Sequence, residues 1–111
     1  MKRPVFALSM LLLSLPADAD NRTSDEIYCD LVAHESGYAF EWRQAGAMQS
    51  EYYKRRIAQM ESDQGEALSQ NMRNVVYLAS QMAFEHAGAQ MTPETVEDRM
   101  YIECIGVRTQ P

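Results

Sequence analysis

Two cysteines, Cys29 and Cys104, stand near opposite ends of the part of this chain that can fold, and a pair allows only one intramolecular connectivity. Joined, they span 75 residues. In the chain-entropy view, closing a loop of that size stabilises a fold by about 4 kcal/mol. The bond forms in an oxidising compartment and not in a reducing one. The N-terminus therefore decides how the pair is read. Lys2 and Arg3 are followed by an apolar and small-residue run, Val5 to Leu15, then Pro16 and the small-x-small sequence Ala17-Asp18-Ala19. This is the pattern of a cleavable secretory signal over residues 1–19, with the exported chain beginning at Asp20. As a helix the run rises about 16 Å, half of a hydrocarbon core of about 30 Å, so it reads as a leader and not as an anchor. No cysteine follows the run as in a lipoprotein, and Lys2-Arg3-Pro4 is not a twin-arginine motif. General export to a bacterial periplasm or exterior is expected, and with it a Cys29–Cys104 disulfide.

Cleavage removes Lys2, Arg3 and Asp18. Residues 20–111 keep 8 of the 10 basic and 15 of the 16 acidic side chains, a net charge of −7. A chain of this size makes one domain and buries little enough surface that a covalent staple helps. Its acidity opposes binding to nucleic acid or to anionic membrane surfaces, and leaves basic proteins or cationic ligands open.

The domain reads as all-α, a compact four-helix array of the antiparallel bundle kind. Thr23-Ser24-Asp25-Glu26 is a capping box that opens a helix running to about Ala45, where Gly46 suits a left-handed terminus. On it Tyr28, Leu31, Tyr38, Ala39 and Trp42 share one face, while Cys29, Ala33 and Phe40 form a second stripe. A helix apolar on two sides contacts more than one neighbour, so this one is central. The second helix runs from about Met48 or Ser50 to Glu61, with Tyr53, Ile57 and Met60 buried and Lys54-Arg55-Arg56 as a basic, solvated face. Asp63-Gln64-Gly65 breaks the chain. The third runs from Glu66 to about Ala87 on the stripe Leu68, Met72, Val75, Ala79, Met82 and His86. Thr92-Pro93-Glu94 starts the fourth, which carries Val96, Met100, Cys104 and Val107 on one side. The disulfide then joins the first and last helices, and residues 20–22 and 108–111 are expected to be loose ends.

Few residues suggest chemistry. His34-Glu35 begins like a zinc-protease helix, but Tyr38 stands where the second histidine is needed. Glu35 lies between Leu31, Tyr38 and Trp42 on the wheel, and a carboxylate there is half-exposed or buried against an arginine or a tyrosine hydroxyl. His86 closes the stripe of the third helix as a candidate buried polar group near a helix C-terminus. Neither histidine has a nucleophile partner, no Gly-x-Ser-x-Gly or phosphate-binding glycine loop occurs, and no Cys-x-x-Cys or Met-x-Met marks a metal or haem site. No catalytic residue, metal or cofactor is expected, and the protein reads as a non-enzyme.

What remains is surface. Tyr77 and Phe84, seven residues apart and opposite the stripe of the third helix, with Arg73 and Gln81 beside them, have the composition of a binding hot spot. Two layouts are similar. The acid-stress periplasmic chaperones are small, exported and helical with one disulfide, though with much closer cysteines and a lysine-rich tail. The periplasmic immunity proteins that neutralise cell-wall amidase toxins place one cysteine in an early and one in the last helix, and Met100-Tyr101-Ile102-Glu103-Cys104-Ile105 resembles that last position. Both likenesses imply binding of another protein and carry over no residue. The expected function is an exported inhibitor, immunity or assembly factor, the alternatives being a stress-responsive chaperone and a haem- or metal-carrying bundle.

Overall fold

The computed structural model describes residues 23–109. The leader and the start of the exported chain at Asp20 lie outside them. Four helices follow one another: α1 (Ser24–Gln44), α2 (Gln49–Gln64), α3 (Gln70–Gln81) and α4 (Pro93–Arg108), with α3 running on into a π-helical segment, Met82–His86. Among the described residues there is no strand, and no helix is long and apolar enough to cross a membrane.

Local chemistry sets most of the boundaries. The Thr23 hydroxyl accepts the Glu26 N–H while the Glu26 carboxylate accepts the Thr23 N–H, so two of the amides left over at the start of α1 are satisfied. Gly46 and Gly65 hold positive φ of 97° and 78°, at the ends of α1 and α2. Glycine takes that conformation without a Cβ penalty. Thr92 caps α4 and Pro93 sits in its first turn. The start of α3 is later than the stripe predicts. Ser69 caps it through the Met72 N–H, and Leu68 is buried from the connection, its N–H donated to Glu61.

α1 packs most extensively against α4 and then against α3, so it is the central helix. Cys29, early in α1, is bonded to Cys104, late in α4, with their Cα atoms 5.6 Å apart. Arg108 Nε donates to Asp25 at 2.8 Å at the same end and lies over the Tyr28 ring, so the last turn of α4 is tied down and not loose. Farther along, Glu97 lies on the bare backbone of Gly37, where an added Cβ would stand 2.5 Å from its carboxylate. α1 and α4 are thus antiparallel and in close contact along their length.

The core side of α1 is made by Cys29, Val32, Ala33, Ser36, Ala39 and Phe40. Leu31, assigned to an apolar face by the wheel, is exposed. On α2, Tyr52 and Ile57 are fully or nearly buried, while Tyr53 and Met60 are half-buried. On α4, Val96 and Cys104 are buried and Val107 is exposed.

Candidate functional site

The one charged group in the described core is Glu35, 5% exposed. Its carboxylate accepts from Arg56 Nε at 2.7 Å and Nη2 at 3.1 Å, and from the Tyr52 hydroxyl. The Arg56 guanidinium also lies over the Tyr38 ring, 4.6 Å from its centroid. The Tyr52 ring meets Trp42, Phe84 and Tyr38 at 5.5, 6.1 and 6.5 Å. Burial, and then the Glu35 charge and hydrogen bond, push the Tyr52 phenol far above its ordinary range. The Glu35 hydrogen bond holds Arg56 above its own. Tyr52 and Arg56 both donate to Glu35, and Arg56 Nη1 donates outward to Gln59 at 3.1 Å. The direct role of the cluster is to fasten α2 to α1.

A second polar fastening holds the π-helical segment. Arg43 Nη1 donates to the carbonyls of Ala83 and Ala87, both at 2.8 Å, and Gln49 Nε2 reaches Glu85 at 2.8 Å. The wide turn closes with the Ala87 N–H on the Met82 carbonyl. It seats Ala87, and not His86, above Met82, so His86 leaves the stripe and is exposed. His86 is therefore not a buried polar group. The same packing corrects Phe84. α3 and its π segment face both α1 and α2, and Phe84 is half-buried against the core on the Tyr52 ring.

Tyr77 keeps its place outside, 51% exposed. Tyr53 meets its ring edge-on at 6.2 Å, and Gln81 Nε2 donates to its hydroxyl at 3.2 Å. Tyr53, Tyr77 and the exposed Met48 line an open groove of about 630 Å³ between α2 and α3, completed by Gln49, Ser50 and Ser80. Arg73, expected beside Tyr77 as a contact, is half-buried and paired with Glu61 at 2.7 Å. Of the four residues expected to form an interface, Tyr77 lines this groove and Gln81 is bonded to its hydroxyl, whereas Arg73 and Phe84 are engaged within the fold.

Among the described residues no group of three or more His, Cys, Asp or Glu is arranged to hold a metal ion. Sequence reasoning missed Tyr52, which it left out of the buried stripe of α2, and placed Arg56 on a solvated face. A signal for both was available, because Tyr52 and Arg56 are four apart and share a face of α2. No family model matches this chain, and neither a curated protein nor a solved structure proves similar to it.

Proposed function

We propose that this is a non-enzymatic exported domain that acts by binding another protein, and that the α2–α3 groove around Tyr77 is part of the contact surface. The observation that carries the reading is the state of Tyr77. It is a large aromatic left half in solvent on a rigid helix, with its ring and hydroxyl both already held. A side chain fixed before binding loses little entropy in the complex, and tyrosine is enriched among residues that dominate binding energy. The adjacent Met48 supplies an adaptable apolar surface. The disulfide and the leader-like N-terminus support an oxidising, exported location. In this reading Glu35, Tyr52 and Arg56 serve the fold and not a reaction.

The test is capture of partners from native periplasm by the purified disulfide-bonded protein, run beside Tyr77→Ser and Met48→Ser variants. Loss of a specific captured protein in both variants, at unchanged melting temperature, supports the reading. Capture that is indifferent to both substitutions removes the groove from it.

A further inference from the structure

The folded chain offers an oxidant no thiol. Its two cysteines are bonded to each other, so the sulfurs left to a two-electron oxidant are thioethers. With Met1 and Met10 of the leader set aside, six of the eight methionines remain, all among the described residues. Their settings differ. Met82 is 4% exposed, and Met60, Met72, Met91 and Met100 are half-buried against the core. Met48 is 70% exposed. Thioether oxidation follows exposure, so the fold itself ranks these sulfurs and puts Met48 first.

The place of Met48 gives that ranking a consequence. Met48 is the N-cap residue of α2, and its side chain lines the groove of Tyr53 and Tyr77. The thioether and the two rings make the apolar part of the lining, beside the polar Gln49, Ser50 and Ser80. An oxygen added to the Met48 sulfur turns part of that apolar wall into a hydrated acceptor. A side chain so exposed contributes little to the core, so the same oxygen leaves the fold intact. On Met82 it would enter the core.

We propose that Met48 is a methionine-oxidation site whose reaction with a peroxide switches the Tyr77 groove from an apolar to a polar surface. A lone pair of the Met48 sulfur attacks one oxygen of hydrogen peroxide, the O–O bond breaks and an S–O bond forms. The proton of the transferred hydroxyl passes to the departing hydroxide, which leaves as water. The sulfur is oxidised by two electrons to the sulfoxide, and the peroxide is reduced. A polar, chiral group then stands where an adaptable apolar one supported contact beside Tyr77. The effect on binding rests on the Tyr77 reading, whereas the oxidation site does not.

The test treats the purified disulfide-bonded protein with limiting hydrogen peroxide and locates the added oxygen by peptide mass spectrometry over time. The first oxygen should sit on Met48, with the melting temperature unchanged, and Met48→Leu should lack this first product. Methionine sulfoxide reductases of both epimer specificities should remove it. In NMR spectra the singly oxidised protein should shift the ring signals of Tyr53 and Tyr77 and leave those of the buried Phe40 in place. First oxidation at another methionine, a lowered melting temperature of the singly oxidised protein, or unmoved Tyr77 ring signals would overturn the proposal. Partner capture separates it from the groove reading. Where Tyr77→Ser abolishes capture, the singly oxidised wild-type protein should lose it too, and reductase treatment should restore it. Capture that survives Met48 oxidation there overturns the switch. Capture indifferent to Tyr77→Ser overturns the groove reading and the switch with it, and Met48 as the oxidation site is then decided by the mass and ring-signal results.

Discussion

Glu35 is held in the core by three donors from α2 that converge on its carboxyl group. Charges taken out of water are tolerated when fully paired, and removing one partner strands the other. Replacing Arg56 with methionine should therefore cost about 3 kcal/mol in urea melts at neutral pH. Glu35→Gln, which keeps an acceptor oxygen and discards the charge, should cost less. Tyr52 carries a pH dependence whose sign follows from its surroundings. Its folded-state pKa is raised by burial and by Glu35, so the fold favours the neutral phenol. The stability this contributes is fully present below the unfolded value of about 10 and is lost as pH rises beyond it, because only the unfolded chain sheds the proton. Melting temperature should fall more steeply above pH 10 in the wild-type protein than in Tyr52→Phe. The unusual setting of Glu35 was legible in the helical wheel, where it falls among Leu31, Tyr38 and Trp42. Its partner was not. Lys54, Arg55 and Arg56 look alike in sequence, and only the tertiary placement of α2 turns one of them inward.

At the scale of the element, the helices announce themselves where their ends carry local chemistry. Thr23 with Glu26, Gly65, and Thr92 with Pro93 each solve a terminus within a few residues, and such solutions can be read without knowing the fold. The π-helical segment has no such local cause. Its carbonyls at Ala83 and Ala87 are bound by Arg43, at least 40 residues earlier in the chain. A sequence window of one helix contains no trace of that contact, so the stripe extrapolated to His86 ran past a turn of different width. Arg43→Met should cost about 1 to 2 kcal/mol by leaving those carbonyls without their donor. The same change should speed hydrogen exchange at the Ala87 amide. Phe84 and Tyr77, expected to behave alike, should separate. Phe84→Ala should cost about 3 kcal/mol, at the low end for an aromatic because it is only half-buried. Tyr77→Ser should stay within about 1 kcal/mol. Urea denaturation of the two variants decides this.

At the scale of the whole molecule, the all-α class and the joining of the first helix to the last were both legible, because the cysteine pair and the helix patterns point to the same layout. The exposure of Leu31 was not legible. The wheel puts it on an apolar face, and only the disulfide and Gly37 set which sides of the two helices face each other and leave it outside. Reducing the disulfide should lower the melting temperature while much of the far-UV helical signal remains, since capping and packing of the helices do not need it. Cys29→Ser and Cys104→Ser should reproduce that loss, and two unchanged melting temperatures would show that the bond does not stabilise the fold. The position of this bond also decides how the molecule carries a load. A pull applied to the chain on either side of the domain passes from Cys29 to Cys104 across 5.6 Å of covalent structure and bypasses the 75-residue span between them. Reduced, that span would pay out about 260 Å of contour at roughly 3.5 Å per residue. Oxidised, it would pay out none of it. Single-molecule stretching under the two redox conditions should show this difference in contour length, and an oxidised protein tethered at both ends would keep α2, α3 and the Tyr77 groove out of the path of the force.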